Sequence, residues 1–193
     1  MSDYVVQTDD VIVRRMRDEM DDYELMEKWR TDERVLEFYG GRDYPYYIED
    51  VKIEYLPLIR GYQKVVPCIF SYQNIPVGYL QYYALNDLSN KEKKEFSLEQ
   101  TDGVYAIDLF IGEPSYWSQG IGTKVLVAVI NYIFTQLSAR KIVIDPYVGN
   151  HRAIRCYEKC GFVKVKILPK HDLHEGKFRD CWLMAIDSQK SLN

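Results

Sequence analysis

Two stretches some thirty residues apart carry the residue types that suit a phosphorylated ligand. The first is Gln119-Gly120-Ile121-Gly122-Thr123-Lys124, at the opening of a long apolar helical pattern. Glycines there let main-chain N–H groups close around an anion, with the positive end of the helix dipole behind them, and a diphosphate is the natural ligand. The phosphate loop GxxxxGK[ST] is absent, and the dinucleotide fingerprint would need a third glycine where Val125 stands. The second stretch, Asn150 to Phe162, reads NxxAxxxYxxxGF. Tyr157 falls two helical turns after Asn150, so Asn150, the small Ala153 and Tyr157 suit a thin ligand lying along a helix start. A capped helix carrying a core tyrosine explains the same pattern.

Three aspartates are candidates for handling a cation. Asp108 lies within the apolar run AIDLFI, where a carboxylate is costly to bury unless it is paired or used. Asp145 ends a second apolar run beside Pro146, where turn formation is an equal alternative. Asp180 opens the last strand-like run, where pairing with Arg179 or Lys177 across a sheet is an equal alternative. Residues 1–50 hold 15 Asp and Glu against 7 Lys and Arg, whereas residues 51–193 hold 14 against 18. One end of the molecule is therefore suited to a cation and the other to an anion. Trp29, Phe38, Tyr39 and Tyr44 sit in the acidic part; Trp29 and Phe38 read as core, and Tyr39, beside two glycines, as facing a substrate.

The elements that must position these groups follow from periodicity. Strands are expected at Val11–Arg15, Lys64–Tyr72, Pro76–Leu85, Gly103–Ile111, Lys141–Asp145, Phe162–Leu168 and Arg179–Ile186. Helices are expected at Asp21–Arg30, Tyr46–Arg60, Gly120–Leu137 and Asn150–Cys160, with Pro57 and Gly61 closing the second and Gly161 the last. A turn over Thr31–Gly41 and a polar excursion over Asn86–Asp102 complete the chain. The irregular alternation predicts a mixed α/β sheet with helices on both sides, in a single domain over 1–193.

Composition excludes several classes. Hydrophobic content of 47% with 28% charged residues rules out disorder and fibrous repeats. No run reaches the roughly 18 apolar residues of a membrane span, and the acidic start MSDYVVQTDD lacks a signal core, so a cytoplasmic protein without membrane partners is expected. The net charge of −4 argues against nucleic acid as the main partner. Cys68, Cys156, Cys160 and Cys181 form no CxxC pair and read as free thiols, with Cys156 and Cys160 on one helix face. His171, His174 and Glu175 fall in a stretch bounded by Pro169 and Gly176 that reads as a loop, with no third ligand, so no metal is expected.

Taken together, the glycine loop and the Asn-to-Tyr helix resemble the GCN5-related N-acetyltransferase (GNAT) superfamily over about residues 103–163. The family's loop has Gln or Arg where this chain has Trp117, so Gln119 is the substitute. Longer strings at 31–43, 108–123, 144–162 and 168–184 resemble the aminoglycoside 6'-N-acetyltransferases of that superfamily. The resemblance implies a mostly antiparallel sheet with two splayed strands. It implies acetyl-CoA as cosubstrate and an aminoglycoside as acceptor, in a monomer or homodimer. The acetyl-CoA site would comprise Phe110, Ile111, Gln119, Gly120, Ile121, Gly122, Thr123, Asn150, Ala153 and Tyr157. The acceptor would meet Tyr39, Asp108, Asp145 and Asp180. The main-chain N–H of Phe110 or Ile111 would polarise the thioester, Asp108 would orient the ammonium and accept its proton, and Tyr157 would protonate the leaving thiolate. The rival readings are a different amine acceptor, such as a polyamine or a protein N-terminus, and a non-catalytic acyl-CoA sensor.

Overall fold

Apolar side chains that alternate along the strand-like runs are satisfied by one mixed sheet with helices on both faces, in a computed structural model that describes residues 3–96 and 98–188. The chain runs β1 (Tyr4–Gln7), β2 (Val11–Arg15), α1 (Met20–Arg30), α2 (Glu33–Leu36), α3 (Ile48–Ile59), β3 (Val65–Tyr72), β4 (Ile75–Ala84), α4 (Asn90–Glu95) and β5 (Val104–Ile111). A 3-10 turn at Pro114–Tyr116 leads into α5 (Ile121–Gln136), then β6 (Lys141–Ile144), α6 (His151–Lys159), β7 (Val163–His174) and β8 (Lys177–Asp187). The strand order is β1-β2-β3-β4-β5-β6-β8-β7, and among the described residues only β5 and β6 pair in parallel. No helix of the described residues is long and apolar enough to cross a membrane.

The period of two divides the core. On β4, Tyr79 faces α1 and α3 with Met26, Trp29, Val51 and Tyr55, while Leu80 and Tyr82 face α5 with Leu126, Val129 and Ile133. Buried Asp22 ties α1 to β2, accepting both fork N–H groups of Arg14 at 2.6 and 2.7 Å and the main-chain N–H of Arg17 at 2.7 Å. At the end of β5 a close approach fixes the helix layer. A Cβ on Gly112 would lie 2.2 Å from the Trp29 ring, and Trp29 Nε1 donates to Glu113 Oε1 at 2.9 Å.

Four expectations need correction. Pro57 sits inside α3 and does not close it; Gly61, at φ +71°, does, because Pro57 in the last turn forfeits one N–H while Arg60 still bonds Leu56. The start of the chain adds an unexpected edge strand, β1. The polar excursion contains the short α4. The stretch 168–177 is not a loop but the far half of a β7–β8 hairpin, turned by Glu175 and Gly176, both at positive φ. Pro169 is tolerated because β7 is the sheet edge.

Candidate functional site

Strands β5 and β6 pair only over Val104–Ala106 and Lys141–Val143. Beyond that point the chain after β6 follows β8: Trp182 N–H bonds the Pro146 carbonyl at 2.8 Å, and Tyr147 bridges Cys181. Strand β5 instead continues beside β4 to Ile111. The parting opens a cavity of about 490 Å³, bounded by β5, α2 and the segment after it, and the starts of α5 and α6.

The main chain of β5 is directed by its ladder. Gly112 N–H bonds Val77 O and Leu85 N–H bonds Val104 O, both at 2.9 Å. Even-numbered residues therefore turn their main-chain groups to β4 and odd-numbered ones away. Ile111 O, accepting from Trp117 Nε1 at 2.8 Å, is one of the latter. Leu109 and Ile111 thus present N–H groups to the open side. Phe110, paired with Ile111 in the sequence expectation, turns its amide to β4 and lends its ring to the cavity wall.

Gly120, at φ +78°, turns the chain into α5, whose first intrahelical bond is from Lys124 N–H. The amides of Ile121, Gly122 and Thr123 precede it and have no helical acceptor, and all three residues line the cavity. A Cβ on Gly122 would stand 3.3 Å from Cys156 Sγ, so the missing side chain leaves the floor open. Across the cavity, Asn150 caps α6 by accepting Ala153 N–H at 3.2 Å, which brings Ala153 and Tyr157 to the lining.

Gln119 is not brought in: it is exposed, and its Nε2 donates to Ser115 O at 2.6 Å. The cavity carries cations that sequence reasoning missed. Arg152, Arg155 and Lys159 line it, and no ion pair joins them to a carboxylate among the described residues. Their spacing of three and four along HRAIRCYEK was the available signal. Arg152 stacks 3.9 Å from the Trp117 ring centroid and 5.2 Å from Phe38, so Phe38 and Trp117 serve this wall, and Phe38 is not the core residue expected.

The carboxylates divide. Asp108 is half-buried and accepts Gln81 Nε2 at 2.7 Å; Gln81 Oε1 in turn accepts the Tyr79 hydroxyl at 2.7 Å. Burial, followed by the negative charge of Asp145, pushes the Asp108 carboxyl up to about 6, against the hydrogen bonds of Gln81 and Tyr83. Asp145 Oδ2 lies 2.9 Å from His171 Nε2. His171 thus turns to Asp145, whereas the Nε2 of buried His174 lies 3.7 Å from Glu175 Oε1.

Tyr39 lines the cavity with its ring 4.6 Å from Phe110, and Asp108 adds to the burial that holds its hydroxyl protonated. Buried Tyr157 likewise feels both Asp108 and Asp145, and burial raises its hydroxyl far above the usual phenol range. Asp180 stands apart from the cavity, exposed, with its carboxylate accepting Lys170 N–H at 2.8 Å, where Lys170 takes a positive φ of 52° in the irregular part of β7.

Comparison with known proteins bears on this arrangement. The acetyltransferase (GNAT) domain profile matches residues 18–169. An aminoglycoside N(6')-acetyltransferase type 1 from Klebsiella pneumoniae is 32% identical over 158 residues, which is 82% of this chain and 77% of that protein. The crystal structure of aminoglycoside acetyltransferase AAC(6')-Ib with coenzyme A and kanamycin aligns at a TM-score of 0.76 with 28% identity, covering 93% of this chain and 96% of that one. A spermidine N-acetyltransferase from Vibrio cholerae, in complex with coenzyme A and spermine, aligns at 0.77 but with 19% identity, over 96% of this chain and all of its own; that likeness concerns the fold alone.

Proposed function

The chain belongs to the acetyltransferase (GNAT) family, and on that premise we propose that it carries the acetyl group of acetyl-CoA to the 6'-amine of kanamycin-like aminoglycosides, conferring resistance to them. The observation that carries this reading is that three cations line one cavity with no ion pair among the described residues, while two carboxylates beyond its wall, Asp108 and Asp145, act on its buried Tyr157. The first set suits a polyphosphate and the second a polycation.

The amides of Ile121, Gly122 and Thr123 hold the diphosphate, with Arg152, Arg155 and Lys159 as point charges around it. Leu109 and Ile111 donate N–H groups to the thioester carbonyl as it gains negative charge. Asp108 binds the acceptor ammonium and orients the freed amine for direct attack in a ternary complex. Most of the rate comes from holding the two reactants together. A carboxyl near 6 is a weak base toward an alkylammonium, so Asp108 steers the proton toward solvent rather than keeping it. The Tyr157 hydroxyl, held neutral by burial, donates to the sulfur as the thiolate leaves.

The test is acetyl-CoA-dependent thiol release with aminoglycosides that do and do not carry a free 6'-amine, and with spermidine as a separate amine. Turnover confined to the 6'-amino drugs is the expected result. Equal turnover without that amine, or with spermidine alone, overturns the assignment.

A further inference from the structure

We propose that Cys156 is a reactive thiol inside the cleft and that its mixed disulfide with a small anionic thiol shuts the cleft to coenzyme A; only the identity of the cleft's occupant rests on the acetyl-transfer reading. The acetyl transfer above has no use for this side chain.

Its placement is unlike that of the other cysteines. Cys68 and Cys181 are buried in the cores, whereas Cys156 is half-buried and lines the cavity. Its Sγ faces the first turn of α5, 3.4 Å from Thr123 Oγ1 and 3.3 Å from where a Cβ on Gly122 would sit. Cys160, one turn further along α6, directs its own S–H to Thr123 O at 3.8 Å. The sulfur thus meets the positive end of a helix dipole, and Arg152, Arg155 and Lys159 line the same cavity. The neighbouring Cys160 thiol, ahead of Thr123 and the charge of Lys159, holds the Cys156 thiol below the usual cysteine range, and Cys160 is pushed up in exchange. This is the electropositive, partly open setting in which a cysteine exists as thiolate near neutral pH.

The reaction is thiol–disulfide exchange with a low-molecular-weight disulfide. The Cys156 thiolate attacks one sulfur, the S–S bond of the reagent breaks, a new S–S bond to Sγ forms, and the released thiolate takes a proton from water. Negative charge on the reagent favours its entry among the three cations. Because Sγ abuts Gly122, the group left on it stands in front of the α5 amides, where the diphosphate is to be bound.

The experiment uses the full chain at pH 7 with glutathione disulfide, read by peptide mass spectrometry and by calorimetry with coenzyme A. Cys156 is expected to take up glutathione at least roughly ten times faster than Cys68 or Cys181. Saturating coenzyme A should slow that uptake by about as much, and the adduct should weaken coenzyme A binding about tenfold or more until dithiothreitol removes it. Cys160→Ala, which removes the neighbouring thiol, should slow uptake at Cys156. An unmodified Cys156, or an adduct that leaves coenzyme A affinity within about twofold, overturns the proposal. If the unmodified chain binds no coenzyme A, the cleft assignment itself fails and the exclusion with it, whatever adduct the mass spectrum shows.

Discussion

Replacing Asp108 by Asn should stabilise the protein while disabling it. In the folded chain the Asp108 carboxyl is raised from 3.8 to about 6, first by burial and then by Asp145. A raised carboxyl means that ionisation opposes folding. The cost is absent below pH ~4, where both states are protonated, grows between 4 and 6, and is complete above 6. The shift corresponds to about 3 kcal/mol at one pH unit per 1.36 kcal/mol, and partial solvent contact trims this to roughly 2–3 kcal/mol. Asn keeps the shape and can still accept from Gln81 Nε2. The variant should therefore gain roughly 4–12 °C in melting temperature at pH 8 for a chain of this size, and nothing at pH 4.

Steady-state thiol release should show the opposite trend. For kanamycin, kcat should fall about a hundredfold with coenzyme A affinity unchanged, because the lost charge acts only on the amine. In the parent enzyme kcat/KM should rise through an apparent pKa near 6, a limb that the variant lacks. A variant no more stable than its parent at pH 8 would refute the burial argument. Unchanged turnover would remove Asp108 from the chemistry.

Other consequences can be measured in the same assays. Tyr157→Phe should lower kcat about tenfold or more with little change in KM, and an effect confined to KM would assign the hydroxyl to binding instead. Gly122→Val places a side chain against Cys156 Sγ and should raise the KM for acetyl-CoA about tenfold while urea denaturation stays near that of the parent. Asp22→Asn leaves Arg14 without its buried fork partner and should cost about 3 kcal/mol or more in urea unfolding, with kcat of the surviving folded protein unchanged.

Much of the cofactor side was legible because it depends on local patterns. A glycine pair at a helix start and an Asn cap two turns before a tyrosine need no distant partner to be recognised, and the structure sets both on one cavity. The cations Arg152, Arg155 and Lys159 stand in the same helix, but a spacing of three and four does not by itself distinguish a cavity wall from a solvated helix face. Gln119 and Asp180 lie off the cavity for another reason. Each satisfies a nearby main-chain group, Ser115 O and Lys170 N–H, and residue type alone does not reveal that a polar side chain is already engaged. The stretch from Pro169 to Gly176 misled because proline and glycine mark a loop except where proline lies on a sheet edge, and edge position is a property of the finished sheet.

The sequence by itself determined the periods: which runs are strands or helices, and where glycine must turn the chain. Those follow from short-range sterics and hydrogen bonding. Only the tertiary structure decided that β6, paired with β8 along its length, parts from β5 after Val143, which opens the cavity, and that burial, then the charge of Asp145, holds the Asp108 carboxyl near 6. Strand partnership and the charge on a buried carboxyl depend on residues dozens of positions away, and burial and Coulomb forces act through space rather than along the chain.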